Sequence, residues 1–324
     1  MTRLKIAYFG TPDFSADFLE KLIVDQSINR LIKVELVVTQ PDRPFGRKQT
    51  IMPTPVKLIA KKHCLECLEI ENCKFNESRL WREKIENLDF CLLYAYGKKI
   101  PKELLDKPRL GFINIHPSLL PKYRGPSPIA YPLINGDQKT GVTLIKMDDQ
   151  IDHGPIIAQE ELEILPTDKR PDLEKKLTKL AFNMFRKFVA GVVEEGLPTT
   201  RRSWGYPSAS RASAGGNPRQ APRLISQNHS QATYTKLLKK EDGFIEFKNF
   251  KFQISNSPEK LFNLFRGLYL WPGLWTTVKI NGVDKRLKIT DLDLISNKIV
   301  IKKVQLESKK EVDFTIFQKA YKVF

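Results

Sequence analysis

Short apolar runs alternate with helix-like segments over the first 116 residues, and this alternation limits the folds that the chain can adopt. A segment with helical character follows each of the first three runs. Strands that alternate with helices form parallel, doubly wound α/β sheets, and ligands of such sheets lie at the carboxyl ends of the strands. The predicted strands are LKIAYFG (4–10), VELVVTQ (34–40), LDFCLLYAYG (88–97) and GFINIH (111–116).

The rest of the chain changes character twice. An apolar stripe at helical spacing predicts a long helix over 172–195, which ends the first domain. The next stretch is rich in Ser, Arg, Gly, Pro and Asn, a composition typical of a linker. Strand-like runs with one helix near 257–267 then predict a small β-barrel. The predicted domains are 1–198, a linker over 199–230, and 231–324.

Positive charge is concentrated in the last third of the chain. Residues 1–200 hold 31 Lys and Arg against 27 Asp and Glu, a net of +4, and residues 201–324 hold 23 against 10, a net of +13, so the two parts sum to +17. Such asymmetry favours a polyanionic partner, with nucleic acid ahead of an acidic membrane. A well-solvated basic domain without such a partner is the alternative.

The cysteines and apolar runs indicate a cytoplasmic protein without a membrane segment. The four cysteines, Cys64, Cys67, Cys73 and Cys91, suit a reducing compartment better than a disulfide framework. The C-x-x-C pair in HCLEC (63–67) has no second pair at zinc-site spacing, so we expect no metal. The apolar runs are far shorter than the roughly 18 residues of a membrane span.

The most informative short segment is GFINIHPSLLPKYRG (111–125), in which an apolar strand ends in Asn114 and His116. Side chains at i and i+2 of a strand face the same way, so both should project from one face of the sheet, in line with Phe112. A buried amide and imidazole are costly unless they are paired or used. Together they can donate to an oxygen that becomes negative during a reaction.

The segment TGVTLIKMDDQIDHGPIIAQ (140–159) supplies a carboxylate for this pair. A strand, a polar turn and a second apolar run put Asp152 on a loop that can return toward His116. There it would fix the imidazole tautomer or accept a proton. On spacing alone, Asp148 and Asp149 are equally suitable.

A hydrolase is another interpretation of these residues, with Ser118 as the nucleophile beside His116 and Asp152. The chain lacks a G-x-S-x-G motif, and Pro117 stiffens the link between Ser118 and His116. It also lacks G-x-G-x-x-G and Walker motifs, which disfavours nicotinamide and ATP chemistry.

INIHPSLLP together with MDDQIDHGPI resembles the formyltransferase fold that uses 10-formyltetrahydrofolate. Methionyl-tRNA formyltransferases and glycinamide ribonucleotide formyltransferases share that core. Further stretches are similar to the tRNA enzymes: FGTPDFSADFL (9–19), QPDRPFGRKQTIMPTPVK (40–57), ATYTKLLKKEDGFIEF (232–247) and LFRGLYLWPGLWT (264–276). The resemblance covers nearly the whole chain and departs at 199–230, where the linker is longer and richer in Arg.

The resemblance implies a Rossmann-like catalytic domain followed by a C-terminal β-barrel similar to an OB fold. The reaction it implies is formyl transfer from 10-formyltetrahydrofolate to the α-amino group of charged initiator tRNA. Asn114 and His116 would stabilise the developing negative oxygen, and Asp152 would orient His116. The stretch that matches the family's folate contacts consists of Ser118, Leu119, Leu120 and Pro121.

The loop over 41–53 is the third feature that the resemblance assigns to function. It carries Arg43, Arg47 and Lys48, which we expect to contact tRNA phosphates. Its prolines predict an irregular conformation. We expect the protein to act as a monomer.

Two other functions fit parts of the sequence. A formyltransferase acting on a small-molecule amine such as glycinamide ribonucleotide shares the chemistry but leaves the basic C-terminal part unexplained. A nucleic-acid-binding protein with a lapsed formyltransferase core explains the charge, yet all three catalytic residue types are present.

Overall fold

The computed structural model of the chain describes residues 3–45, 49–70, 79–195 and 224–324. The strands in chain order are β1 (Leu4–Gly10), β2 (Ile32–Thr39), β3 (Arg43–Phe45), β4 (Thr50–Met52), β5 (Cys67–Glu69), β6 (Phe90–Tyr94), β7 (Phe112–His116), β8 (Lys139–Lys146), β9 (Ile156–Glu163), β10 (Leu274–Ile280), β11 (Val283–Ile295), β12 (Lys298–Leu306) and β13 (Glu311–Asp313). The α-helices are α1 (Asp13–Val24), α2 (Gln26–Asn29), α3 (Pro55–Lys62), α4 (Arg79–Glu86), α5 (Lys102–Leu105), α6 (Ala130–Asn135), α7 (Arg170–Glu195), α8 (Phe247–Asn256), α9 (Pro258–Gly267) and α10 (Phe314–Tyr321).

Over the described residues the predicted fold class is confirmed. A seven-stranded sheet has the order β5-β2-β1-β6-β7-β8-β9. The four neighbouring pairs β5–β2, β2–β1, β1–β6 and β6–β7 are parallel, and β8 is antiparallel to β7. The chain winds from the central strand β1 first to one side and then to the other, as expected of a doubly wound sheet. No described helix is both long enough and apolar enough to cross a membrane.

The chain forms two compact units, and each is discontinuous in sequence. The first contains Met1–Arg124, Gly141–Leu162 and Lys175–Tyr234, and the second contains Gly125–Thr140, Glu163–Glu174 and Thr235–Phe324. Two segments from the predicted catalytic domain therefore belong to the C-terminal unit. Within that unit α6 packs on α9, and Lys169 Nζ lies 2.8 Å from Asp291 Oδ1.

Aromatic side chains join α1 and α7 to one face of the sheet. Phe18 of α1 is fully buried and contacts the rings of Tyr94, Phe182 and Phe185. The opposite face carries a second apolar cluster that includes Phe9, Leu93 and Phe112.

A row of side chains on that opposite face leads to the polar end of β7. Phe9 is in register with Leu93, and Leu93 is in register with Asn114. Phe112 lies two residues before Asn114 in the same apolar cluster as Phe9 and Leu93. The Asn114 amide therefore stands at the carboxyl end of β7, where the row of apolar side chains would otherwise continue.

The C-terminal unit contains a four-stranded antiparallel sheet with the order β10-β11-β12-β13 around one apolar core. It has more helix than the sequence predicted, because α8 and α10 accompany α9. The run FIEF (244–247) does not form a strand, since Phe247 already begins α8. Ile245 and Phe247 instead contribute to the apolar core, and Ile245 N donates to Trp275 O over 2.9 Å.

The prediction of irregular structure over 41–53 is wrong for the described part of that loop. β3 and β4 form a short antiparallel hairpin in which Pro44 is in register with Ile51. A proline is tolerated there because both strands of a two-stranded ribbon are edges, and an edge strand does not require every N–H.

Candidate active site

Asn114 and His116 lie at the carboxyl end of β7 and are both buried, with 8% and 4% of their surface exposed. In β8, Ile145 is in register with Asn114 and Thr143 with His116. The two side chains meet a common partner, as their spacing along the strand predicts. That partner is Asp152, which lies on the turn between β8 and β9.

A single carboxylate oxygen of Asp152 contacts both side chains. Its Oδ1 accepts a hydrogen bond from Asn114 Nδ2 over 3.1 Å and lies 3.4 Å from His116 Nδ1. The side chain of Asp152 is 12% exposed, so the contact has little access to water. The backbone of Asp152 has a φ of +49°, a left-handed conformation that Asp tolerates better than most residues.

The other two candidate carboxylates bind elsewhere. Asp148 Oδ2 lies 2.6 Å from His153 Nδ1, and its Oδ1 accepts from Gln150 N over 3.0 Å. Asp149 is exposed and pairs with Lys102 Nζ at 3.0 Å. That hydrogen bond lowers the pKa of Asp149 from its ordinary value. Of the three carboxylates, Asp152 is the one that contacts the strand-end pair.

The second ring nitrogen of His116 faces a backbone carbonyl. His116 Nε2 lies 2.9 Å from Tyr123 O, and a carbonyl can only accept, so Nε2 carries a hydrogen. In the neutral ring this leaves a lone pair on Nδ1 beside Asp152 Oδ1 and no second N–H for the donor role that the sequence analysis gave to His116. A proton that arrives at Nδ1 would be shared with the carboxylate, so the pair can take up one proton.

The segment after β7 is held by side-chain hydrogen bonds to its backbone and by the packing of Leu120. Ser118 is fully buried, and its hydroxyl donates to Lys122 O over 2.6 Å. This arrangement disfavours the hydrolase interpretation, because a nucleophilic hydroxyl must be accessible to substrate. Leu120 is buried against Ile145 and Ile156, whereas Leu119 and Pro121 are half-buried.

Thr143 is a supporting residue that the sequence analysis did not identify. Its hydroxyl donates to Ser118 O over 2.6 Å and accepts from Leu120 N over 3.1 Å. Gln159 Nε2 also lies 2.8 Å from that hydroxyl. The available signal was a polar side chain at an inward-facing position of the apolar run GVTLI.

Gln227 and Tyr123 were also missed. Tyr123 acts through its carbonyl, which composition cannot reveal. Gln227 lies within the predicted linker 199–230, of which the structure describes residues from 224 onward. It is buried and donates to the carbonyl oxygens of Asp152 and Gly154. No sequence pattern distinguishes it from its polar neighbours.

The predicted tRNA-contacting residues are only partly described. Arg43 is exposed on β3, while Arg47 and Lys48 lie outside the described residues. The base of their loop is anchored by Lys57, whose Nζ lies 2.8 Å from Asp42 Oδ2. This hydrogen bond, with that to Glu69, raises the pKa of Lys57.

The C-x-x-C pair does not form a metal site in the described part of the chain. No group of His, Cys, Asp and Glu side chains there is arranged to hold a metal ion. Burial raises the pKa of Cys67 to about 11, so its thiol stays protonated near neutral pH. Cys73 lies outside the described residues.

Comparison with known proteins shows the family of the chain. The family described as formyl transferase matches residues 4–189. The methionyl-tRNA formyltransferase of Caldicellulosiruptor saccharolyticus is 35% identical over 294 residues, which cover 90% of this chain and 80% of that protein. The chain belongs to the methionyl-tRNA formyltransferase family.

Two further comparisons place this family member among related enzymes. The methionyl-tRNA formyltransferase of Thermotoga maritima is 38% identical over 244 residues, which cover 75% of this chain and 68% of that protein. A crystal structure of an N-formyltransferase from Helicobacter canadensis, in complex with folinic acid and dTDP-3-aminofucose, has a TM-score of 0.56 and 17% identity. It covers 91% of this chain and 89% of the other, and at this identity it shows a shared fold.

We predict that Thr143→Val will lower the free energy of unfolding of this methionyl-tRNA formyltransferase family member by about 1–3 kcal/mol. Valine keeps the shape of the side chain but leaves Ser118 O and Leu120 N without the hydroxyl. Urea unfolding measures the change.

Thr140→Val is the matched control for that measurement. Thr140 is also buried in β8, but its hydroxyl has no hydrogen-bond partner among the described residues. Its replacement should leave stability unchanged within about 0.5 kcal/mol or raise it. Equal losses in the two variants would contradict the role given to Thr143.

Proposed function

We propose that the chain transfers the formyl group of 10-formyltetrahydrofolate to the α-amino group of methionyl initiator tRNA. The observation that carries this proposal is the contact of Asp152 Oδ1 with both Asn114 and His116 at the end of β7. Membership of the methionyl-tRNA formyltransferase family supports the substrate. Because tRNA charging and initiation belong to translation, the function assigns the protein to the cytoplasm.

The residues around the Asp152 turn fit a folate as the formyl donor. A flat ring system requires apolar walls and a few fixed polar groups. Ile151 is 63% exposed next to Asp152, and Met147 and Leu119 are half-buried on the flanking segments. The related Helicobacter canadensis enzyme was crystallised with folinic acid. The donor supplies an activated formyl group, and we propose that Ser118–Pro121 with the 147–152 turn hold it.

Asn114 is suited to stabilise negative charge on the formyl oxygen. Its Nδ2 carries two hydrogens, and the bond to Asp152 uses one of them. The other can be directed at the oxygen as charge develops. Since the amide is buried and held by Asp152, it needs little reorganisation at that moment.

His116 and Asp152 are suited to take the proton from the attacking amine. A free α-amino group titrates near ~7.7–8.0, so a large fraction is already neutral near physiological pH. Attack on the formyl carbon makes the nitrogen acidic, and a proton must leave it. His116 Nδ1, with Asp152 Oδ1 beside it, provides an acceptor whose charge the carboxylate balances.

The basic C-terminal part favours tRNA over a small amine. Residues 201–324 carry a net charge of +13, from 23 Lys and Arg against 10 Asp and Glu. Phosphate neutralisation by such charge supplies most of non-specific nucleic-acid affinity. A small-molecule formyltransferase has no use for this charge, and a lapsed enzyme has no use for a carboxylate that contacts both a buried amide and a buried imidazole.

A substrate comparison tests the proposed function. The protein is incubated with 10-formyltetrahydrofolate and either methionyl initiator tRNA or glycinamide ribonucleotide, and formylated product is measured. We expect formyl-methionyl-tRNA only. Formylation of glycinamide ribonucleotide alone would favour the small-molecule alternative, and no formylation of either would favour a lapsed core. Light scattering of the same preparation checks the predicted monomer.

We predict that Asn114→Ala, His116→Ala and Asp152→Asn will each lower kcat by about 10²-fold or more while the protein stays folded. Each removes either a donor to the formyl oxygen or the group that receives the proton. Single-turnover formylation of charged tRNA measures the loss.

Asp149→Asn is the matched comparison for Asp152→Asn. Asp149 lies on the same turn, but its carboxylate pairs with Lys102 at the surface. It should retain nearly full activity. A full rate for Asp152→Asn with a reduced rate for Asp149→Asn would assign the role to the other carboxylate.

We predict that Arg43→Ala and Arg47→Ala will each lower kcat/KM for charged tRNA by about 10-fold through lost phosphate contacts. Their loop follows β2, whose carboxyl end lies at the same edge of the sheet as that of β7. Folate affinity of the free enzyme should stay unchanged.

Arg109→Ala is the control for the loop variants, because Arg109 precedes β7 and lies near the opposite edge of the sheet. It should change neither tRNA kinetics nor folate affinity. If the loop variants lose folate affinity and tRNA activity equally, the loop shapes the donor pocket, and the assigned tRNA contact is wrong.

A further inference from the structure

A buried glutamine holds the backbone of the turn that carries Asp152. Gln227 Nε2 donates to Asp152 O over 2.9 Å and to Gly154 O over 2.7 Å. Gln227 is 5% exposed, so water cannot readily replace these bonds. The amide therefore uses both of its hydrogens on the two carbonyls that flank His153.

Arg124 orients this amide. Its Nη2 donates to Gln227 Oε1 over 2.6 Å, and the arginine is 2% exposed. Guanidinium can only donate, so the bond fixes which end of the Gln227 amide faces Arg124. The nitrogen end must then point at the two carbonyls. A charge-assisted bond of this kind is stronger than a neutral one.

A second contact joins the segment around Gln227 to the turn that carries Asp152. Arg124 Nη2 also lies 2.8 Å from His229 Nδ1, and His229 stacks on His153 with ring centres 3.9 Å apart. Desolvation, with the neighbouring charges of His153 and Arg124, lowers the pKa of His229. A neutral His229 can accept from Arg124. The segment around Gln227 therefore contacts the turn at the His153 side chain as well as at the backbone carbonyls of Asp152 and Gly154.

The same part of the chain holds the other partner of His116. Tyr123, whose carbonyl faces His116 Nε2, donates its own N–H to Thr233 Oγ1 over 2.8 Å. Arg124 N donates to Thr233 O over 2.9 Å. Residues 224–234 therefore contact the segments on both sides of the imidazole, although most of them belong to the predicted linker 199–230.

We propose that Gln227, oriented by Arg124, is a positioning residue that keeps the Asp152 carboxylate on Asn114 and His116 during formyl transfer. The inference rests on the proposed function. Asp152 has a left-handed backbone conformation that its surroundings must hold in place. Reactive groups must be held within about 0.5 Å of their working positions, which needs a rigid supporting set of contacts.

Two substitutions distinguish the bonds that Gln227 donates to the turn from the bond that it accepts from Arg124. Gln227→Glu keeps an acceptor for Arg124 and nearly the same volume, but has no hydrogens for Asp152 O and Gly154 O. Gln227→Leu loses the bonds on both sides. We expect each to lower kcat for charged initiator tRNA by about 10-fold or more, with KM changed by less than about twofold. Thermal unfolding verifies that the variants are folded, and Gln227→Glu is the more conservative of the two.

Gln231→Leu is the matched control. Gln231 lies in the same segment and undergoes the same change, but it is exposed. Its kcat should equal that of the unmodified protein. Wild-type kcat in folded Gln227→Glu would overturn the proposal, as would a loss seen only in KM.

A double-mutant cycle distinguishes positioning from general destabilisation. If Gln227 acts through Asp152, then Gln227→Glu should reduce the residual rate of Asp152→Asn by less than about twofold. An equal loss in the two backgrounds would overturn the proposal, because it would mean that Gln227 acts without Asp152. Failure of the unmodified protein to formylate charged tRNA would instead refute the proposed function, and that result is obtained before any variant is compared.

Discussion

The candidate active site is built around one carboxylate oxygen that contacts two partners. Asp152 Oδ1 accepts a hydrogen bond from Asn114 Nδ2 over 3.1 Å and lies 3.4 Å from His116 Nδ1. These two contacts join the three side chains. Polar groups that are withdrawn from water in this way are costly unless each has a partner. In the proposed mechanism the arrangement also connects two tasks, because the group that orients the oxyanion donor is the group that balances the charge of the proton acceptor.

The fold supplies the parts of this contact from separate regions of the chain. A parallel strand ending in an amide and an imidazole puts both at the ligand-binding edge of the sheet. Neighbouring strand ends are joined there, since Thr11 Oγ1 and Gln40 Nε2 both donate to Tyr96 O, over 2.9 and 2.7 Å. Thr143 fixes the segment after β7, and Gln227 holds the turn after β8. The site is therefore rigid because long-range hydrogen bonds converge on short connecting segments.

The features that follow a local period could be predicted from the sequence. The shared direction of Asn114 and His116 follows from the two-residue period of a strand, and the extent of α7 follows from its apolar stripe. The choice among Asp148, Asp149 and Asp152 could not be made, because it depends on how a turn folds back over β7. Pro44 led to a prediction of irregular structure, but it lies in β3, an edge strand, where a missing N–H is tolerated. The role of Gln227 could not be predicted either, because it also depends on contacts between distant parts of the chain. Its partners lie more than 70 residues earlier, and its surroundings have the composition of a linker.

Binding and chemistry in this protein depend on different physical quantities. The contacts of Asp152 with Asn114 and His116 lie between largely buried side chains, so dissolved salt screens them little. The net charge of +13 over residues 201–324 attracts phosphates, and this attraction weakens steeply as the salt concentration rises. Because the first 200 residues carry a net charge of only +4, most of the attraction for a polyanion does not come from the part that holds the reacting groups. In the proposed mechanism, a substrate as large as tRNA is then attracted by charge, while the formyl transfer itself depends on the geometry around one carboxylate oxygen.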